Sequence, residues 1–203
     1  MLKAALTGSM AAGKSEAARA FARLGVPVFD ADAAVHVLYA PGGKAVRPLQ
    51  ARFPGAVDAT GGVNRRRLAR ILARKPRELA VLEAIVHPLV EDMRAEFLHA
   101  AEKQGAPYVI LDIPLLFETN AQDQVDRIIL VTAPEDVRRA RAFTRPGMTQ
   151  DKWQMLESRQ MPQEEKTTRA DFIITTAGSL QDTVRQVHRI NQAILDQITS
   201  GIS

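Results

Sequence analysis

A glycine-rich segment near the start of the sequence has the residue types and spacing of a phosphate-binding loop. Gly8-Ser9-Met10-Ala11-Ala12-Gly13-Lys14-Ser15 fits the pattern G-x-x-x-x-G-K-[ST] between a predicted strand and a helical pattern. Small side chains let successive backbone N–H groups converge on phosphates, and the helix N-terminus adds positive potential. Lys14 can reach the β- and γ-phosphates, and the Ser15 hydroxyl can bind Mg²⁺. The residues expected to surround the phosphates are Gly8, Ala11, Ala12, Gly13, Lys14 and Ser15.

Carboxylates follow two further predicted strands. Asp30 and Asp32 come directly after the second strand, and Asp112 ends the third. Ligands of open α/β sheets bind beyond the carboxyl ends of the strands, so these side chains are expected at the mouth of a site. Asp30 or Asp32 could accept a proton from a hydroxyl that attacks the γ-phosphate, or could cap the next helix. Asp112 could support Mg²⁺, or hydrogen-bond a loop.

Arginines form a third cluster, at positions 138, 139, 141 and 145. Their spacing places Arg138, Arg141 and Arg145 on one helical face, where a transferring γ-phosphoryl group could balance their charge. A solvated face is the alternative, and it is the expectation for Arg138 and Arg139. A second basic run from Arg65 to Arg77 is predicted to be mostly solvated, with one or two residues binding anions.

The apolar runs predict the elements that position these residues. Runs without polar alternation suit strands of a parallel sheet, and helical patterns separate them, so the fold class is α/β. The five predicted strands are Leu2–Thr7, Val26–Asp30, Tyr108–Asp112, Arg127–Thr132 and Phe172–Thr175. Residues 32–104 interrupt the alternation of strands and helices and are predicted to be a helical insertion. Residues 133–169 form a second helical block, which is polar. Ser179 is predicted to cap the last helix.

Composition narrows the class of protein. The chain has 203 residues, no Cys and a net charge of +4, and its four His lack metal-ligand spacing. No apolar run approaches the roughly 20 residues of a membrane span, and the apolar start is too short for a signal peptide. We therefore expect a cytoplasmic protein. The 20 Arg and 7 Lys suit phosphate recognition, and the basic run lacks the aromatic residues that stack on nucleic-acid bases.

The ordered series of motifs resembles the dephospho-coenzyme A kinases almost from end to end. The most particular match is Asp112-Ile113-Pro114-Leu115-Leu116-Phe117-Glu118. The other matching segments are Leu6–Ser15, Asp30–Asp32, Gly62–Leu68, His87–Leu89, Arg141, Arg145, Gln160 and Ala170–Asp171. The loop Ser9–Ala12 is poorer in glycine than is usual in the family, so a positive φ at Ser9 or Ala11 would be strained. Glu16 replaces a common Thr beside the phosphates, and Thr176 replaces a common Asn.

The resemblance implies a P-loop core with a parallel, five-stranded sheet. It implies a core of residues 1–31, 105–132 and 170–203, an acceptor-binding insertion of residues 32–104 and a lid of residues 133–169. The implied enzyme transfers the γ-phosphoryl group of ATP, with Mg²⁺, to the 3′-hydroxyl of dephospho-CoA in the last step of CoA biosynthesis. Neither nucleic acid nor membrane is an expected partner, and we expect a monomer or weak homo-oligomer.

Individual roles follow from the same resemblance. Lys14, Asp32, Arg141 and Arg145 are the implied catalytic residues, with Asp32 as the base and one of the two arginines closing over the γ-phosphate. The implied nucleotide contacts include Glu16, and the implied metal residues are Ser15 and Asp112. The implied acceptor contacts are Asp32, Arg65, His87 and Leu115. The alternatives are another small-molecule P-loop kinase, of the nucleoside or shikimate type, and a non-catalytic nucleotide-binding module.

Overall fold

The structure is a computed structural model that describes residues 1–201, and its backbone divides into two compact units. The core unit comprises Met1–Phe29 and the chain from Ala101 onward. The helical unit comprises Asp30–Ala100. Within the described part of the chain, no helix combines the length and apolar character needed to cross a membrane.

The core unit is built on a five-stranded parallel sheet. Its strands are β1 (Leu2–Gly8), β2 (Val28–Asp30), β3 (Tyr108–Asp112), β4 (Arg127–Thr132) and β5 (Phe172–Thr175). Their order, β2-β3-β1-β4-β5, places β1 between β3 and β4. Leu6 pairs with Asp112 on one side, and Gly8 pairs with Val131 on the other. This register brings the ends of three strands to one edge of the sheet.

All five predicted strands are confirmed, with small differences at two of them. β1 extends one residue further than predicted, to Gly8. The edge strand β2 begins at Val28 and not at Val26. Pro27 has no N–H to donate to a neighbouring strand, although its carbonyl accepts from the Ile110 N–H at 2.9 Å.

Helices α1 (Lys14–Arg23) and α9 (Leu180–Thr199) contribute to the main core of this unit. Their apolar faces bury Phe21 and Val187 in one cluster with Leu6 and Ile110 of the sheet. Ser179 caps α9 as predicted: its hydroxyl accepts from the Asp182 N–H while the Asp182 carboxylate accepts from the Ser179 N–H.

The helical unit has a separate core. It contains α2 (Ala31–Tyr39), α3 (Val46–Arg52), α4 (Arg65–Arg74) and most of α5 (Glu78–Lys103). Leu38, Leu49 and Leu68 are buried at its centre. Between α2 and α5, the only β-pairing is an isolated bridge between Val57 and Val63, as the absence of a strand pattern predicts. Asn64 caps α4 by accepting from the Arg67 N–H at 3.1 Å.

Three short helices of the core unit lie between β4 and β5: α6 (Glu135–Phe143), α7 (Gln150–Glu157) and α8 (Gln163–Thr168). The prediction that Arg138 faces solvent is wrong. Arg138 is only 4% exposed, and its guanidinium donates to both Glu157 oxygens at 2.9 and 2.6 Å and lies over the Trp153 ring. An acid, and not a phosphate, therefore balances its charge. Arg139 is exposed, as expected.

The predicted common face for Arg138, Arg141 and Arg145 is also wrong. Helix α6 ends at Phe143, two residues before Arg145. Arg145 directly precedes Pro146, and a residue before proline is disfavoured from helical geometry. Arg145 therefore lies in the turn that follows the helix.

Replacing Arg138 by Ala should lower the free energy of unfolding by about 2–3 kcal/mol, because it removes one partner of a largely buried ion pair. The half-buried Glu157 can regain some hydration, which keeps the loss below the upper range for such pairs. Urea unfolding measures the change, and Arg139→Ala on the exposed face serves as control, with an expected loss under about 0.5 kcal/mol. Equal losses for the two variants would contradict a structural role for Arg138.

Candidate functional site

The predicted phosphate-binding loop joins the end of β1 to the start of α1. Gly8 must be glycine because a Cβ there would lie 2.3 Å from the Val131 carbonyl oxygen. Gly13 caps α1 with φ at 89°, a conformation that favours glycine. Ala11 has φ at 60°, so the strain expected for Ser9 or Ala11 falls on Ala11. The turn conformation and helix N-terminus of a phosphate cradle are thus both present.

Lys14 and Asp112 meet at the carboxyl edge of the sheet. Lys14 Nζ forms an ion pair with Asp112 Oδ1, and both side chains are largely buried. The pairing of β1 with β3 brings them together across 98 residues of sequence. Asp112 therefore does not serve only to hold a loop. The pair fixes the Lys14 ammonium beside the phosphate-binding loop.

Ser15 is exposed at the start of α1, next to Lys14 in sequence. Among the described residues no cluster of three or more His, Asp or Glu side chains could hold a metal ion by itself. Mg²⁺ binds through one or two protein oxygens together with substrate phosphates and water. The hydroxyl of Ser15 and the carboxylate of Asp112 fit that donor set.

A cavity of about 240 Å³ opens beside Gly13 within the core unit. Arg141 lines it and donates to Thr176 twice, from Nη1 to Oγ1 at 2.8 Å and from Nη2 to the carbonyl oxygen at 2.7 Å. Glu16 also lines the cavity and pairs with Arg19 at 3.0 Å. The structure thus places Arg141 and Glu16, two predicted site residues, against the N-terminus of α1.

Arg145 and Leu115 are both exposed. Within residues 1–201 the Arg145 side chain makes no ion pair or hydrogen bond, so its charge is available to a ligand. Leu115 follows β3, and its side chain is 42% exposed in a loop otherwise anchored by the buried Leu116 and Phe117.

The helical unit holds a second cavity, of about 400 Å³, between α2 and α5. Asp32 and His87, both predicted acceptor contacts, line it together with Tyr39. Arg65 lies over the Tyr39 ring at 5.6 Å and contacts the His36 Nε2 at 3.0 Å. Burial raises the pKa of the Tyr39 hydroxyl, and the nearby Arg65 charge partly opposes this shift. Three of the four predicted acceptor residues thus belong to one unit.

The two carboxylates of Asp30-Ala31-Asp32 have different environments. Asp30 is the N-cap of α2 and accepts from the Ala33 N–H at 2.9 Å. Asp32 is an exposed residue in the first turn of α2 and lines the cavity. The cap interpretation therefore applies to Asp30 and leaves the Asp32 carboxylate available.

Sequence reasoning missed two polar contacts to the phosphate-binding loop. Thr176 Oγ1 donates to the Ala12 carbonyl at 2.7 Å, and Gln160 Oε1 accepts from the Met10 N–H at 3.0 Å. Both partners lie more than 140 residues away in sequence. The only signals for them in the sequence are the matching position of Gln160 and the Asn-to-Thr difference at position 176.

Fold and site together define a class of protein. A parallel α/β sheet carries a G-x-x-x-x-G-K-S loop between its first strand and first helix, and the loop lysine pairs with a carboxylate at the end of the neighbouring strand. These are the features of P-loop nucleotide-binding proteins.

Comparison with known proteins identifies the family. The model of the dephospho-CoA kinase family matches residues 2–182. A dephospho-CoA kinase of Rhizobium meliloti is 48% identical over 99% of this chain and 100% of its own length, and that of Brucella melitensis is 46% identical over 94% of each. The chain belongs to the dephospho-CoA kinase family.

Solved structures agree with the observed fold. A crystal structure from Thermus thermophilus is 36% identical, covers 97% of each chain and superposes with a TM-score of 0.79. The dephospho-CoA kinase from Campylobacter jejuni, at 21% identity, covers 95% of this chain and 96% of its own, with a TM-score of 0.68. The latter supports the fold alone.

Replacing Ala11 by Gly should raise the free energy of unfolding by about 0.5–1 kcal/mol, because glycine adopts positive φ without the Cβ clash. The matched control is Ala12→Gly, at a buried neighbour that lacks a positive φ, where we expect a loss of about 1 kcal/mol. Thermal unfolding of both variants measures the difference. A loss at Ala11 equal to that at Ala12 would show that the loop is not strained there.

Proposed function

We infer that this chain transfers the γ-phosphoryl group of ATP to the 3′-hydroxyl of dephospho-CoA, giving CoA and ADP. The observation that carries this inference is an intact phosphate-binding loop with its lysine held by Asp112, in a chain whose residues 2–182 match the family. That match favours dephospho-CoA as acceptor over a nucleoside or shikimate, and favours catalysis over simple nucleotide binding.

The core unit would bind ATP. Loop N–H groups and the Lys14 ammonium would hold the phosphates, and the cavity beside Gly13 would take the adenosine end. Ser15 and Asp112 would hold Mg²⁺, which would supply positive charge to neutralise the phosphate oxygens. Because Asp112 already restrains Lys14, little side-chain freedom remains to be lost when ATP binds.

The helical unit would bind the acceptor in the cavity between α2 and α5. Apolar residues of both helices line most of it, and Asp32, Glu83 and Glu91 add negative charge. Carboxylates repel a diphosphate, so we assign the cavity to the uncharged nucleoside end of dephospho-CoA. That end carries the reacting 3′-hydroxyl, within the reach that a base at Asp32 requires.

The proposed step is a direct transfer of the γ-phosphoryl group to the acceptor oxygen. The 3′-oxygen forms a bond to the γ-phosphorus, the bond from that phosphorus to the β–γ bridging oxygen breaks, and ADP leaves with the electron pair. Asp32 accepts the hydroxyl proton. The protein otherwise positions the reactants and neutralises charge.

We assign residues 133–169 as the lid, and we give different roles to its two predicted site arginines, Arg141 and Arg145. Arg141 already contacts Thr176 at the wall of the nucleotide cavity, which suits binding of ATP. Arg145 lies in the turn after α6, exposed and unpaired among residues 1–201, which suits contact with the γ-phosphate on closure.

The direct test is ADP release from ATP and Mg²⁺ with and without dephospho-CoA. We expect release that depends on dephospho-CoA and is not supported by adenosine or shikimate. The Lys14→Ala variant, checked for folding by circular dichroism, should release no ADP. Release that is independent of dephospho-CoA, or that shikimate or adenosine supports equally, would contradict the proposal.

Asp32→Asn should lower kcat about 10²–10⁴-fold, the usual contribution of a general base. Asp30→Asn is the matched control, because Asn caps a helix as well as Asp and should preserve both fold and turnover. Steady-state kinetics with both substrates measures the two variants. Similar losses of kcat in the two variants would contradict the role of Asp32 as the general base.

Arg145→Ala should lower kcat about 10²–10³-fold while leaving ATP affinity without acceptor within about twofold, because its contact forms mainly in the transition state. Arg141→Ala should instead weaken ATP binding measured by calorimetry. Loss of ATP affinity in Arg145→Ala, with normal binding in Arg141→Ala, would reverse the assignment.

A further inference from the structure

Two side chains that are distant in sequence form hydrogen bonds to the phosphate-binding loop, one on each side of the strained residue Ala11. Gln160 Oε1 accepts from the Met10 N–H at 3.0 Å, and Thr176 Oγ1 donates to the Ala12 carbonyl at 2.7 Å. Ala11, between them, has φ at 60°. An alanine disfavours this conformation by about 1–2 kcal/mol, so the surroundings must maintain it.

Gln160 is itself held by its neighbours. It lies between α7 and α8, where its own N–H donates to the Glu157 carbonyl at 3.0 Å. The next residue, Met161, donates its N–H to Glu118 Oε1 at 2.9 Å. These two bonds fix the backbone on both sides of the Gln160 side chain.

An ion pair anchors that arrangement. Lys166 Nζ lies 2.7 Å from Glu118 Oε1, and the Lys166 side chain is fully buried. Burial alone would raise the pKa of Glu118, but Lys166 and the Met161 N–H together lower it below its ordinary value. Glu118 therefore stays ionised at neutral pH, and it ties the segment after α7 to the loop after β3.

We propose that Gln160 is a positioning residue that keeps the phosphate-binding loop in its binding conformation, and that the Glu118–Lys166 pair keeps Gln160 in place. The proposal rests on the proposed function only in that ATP binds at this loop. It links the segment assigned as the lid directly to the loop backbone, through a contact that the nucleotide does not need to make.

The physical consequence is specific to the nucleotide. Without an acceptor at position 160, the Met10 N–H loses its partner, and the Ser9–Ala11 backbone can relax towards a less strained conformation. ATP must then restore the binding conformation, which lowers its affinity. The acceptor site in the helical unit has no such dependence.

The test compares Gln160→Met, which keeps the side-chain length but removes the acceptor oxygen, with Gln154→Met. Gln154 is an exposed residue of α7 whose side chain makes no hydrogen bond within residues 1–201. Calorimetry without acceptor should show ATP binding about 3- to 10-fold weaker in Gln160→Met than in Gln154→Met, the usual value of one hydrogen bond. The KM for dephospho-CoA should not change.

Amide hydrogen exchange in the ligand-free protein provides a second readout that needs no catalysis. The Met10 amide should exchange at least about tenfold faster in Gln160→Met than in the control, while amides of β1 keep their rates. Faster exchange with unchanged ATP affinity would reduce Gln160 to a structural contact and overturn the proposal, as would tighter ATP binding. If dephospho-CoA is not phosphorylated but ATP affinity still falls, the acceptor assignment fails and the role of Gln160 stands.

Discussion

The backbone of the phosphate-binding loop is the constraint on which the rest of the core unit depends. Its N–H groups can converge only if Ala11 and Gly13 adopt positive φ and if the chain passes close to β4 at Gly8. Glycine adopts or allows these conformations at positions 8 and 13, but the positive φ of Ala11 is locally unfavourable. The strand order places β1 between β3 and β4. Strand β3 therefore supplies Asp112, and strand β4 supplies the backbone that Gly8 contacts.

The same constraint explains where polar side chains lie in the core unit. Lys14 is balanced by Asp112, and Thr176 and Gln160 satisfy loop backbone groups. The Thr176 hydroxyl also accepts a hydrogen bond from Arg141, so this one hydroxyl connects the loop to α6. Burying polar groups is costly unless each finds a partner, and here the partners come from the segments proposed to bind and enclose ATP.

Much of the core unit could be predicted from the sequence because its signals are local. The five strands are continuous apolar runs, and the phosphate-binding loop and the Ser179 cap are short motifs. The sequence predicts the wrong environment for Arg138, because that environment is set by Trp153 and Glu157, which belong to the next helix. A charge pattern along one helix does not reveal an acid that packs against it from another.

Less of the helical unit could be predicted from the sequence. Its motifs identify Asp32, Arg65 and His87, and only the packing of α2 against α5 reveals the cavity that joins Asp32, His87 and Tyr39. Tyr39 reads in sequence as one more apolar position of α2. Its exposure to the cavity and its contact with Arg65 depend on tertiary structure.

The proposed reaction moves the γ-phosphoryl group of ATP to one ribose hydroxyl of the acceptor. Phosphorus NMR of the complete reaction, with proton coupling to assign the esterified carbon, follows this transfer. We expect one equivalent of ADP and one new phosphomonoester, coupled to the ribose proton at the 3′ position. Inorganic phosphate without a new ester, or an ester at another position, would contradict it.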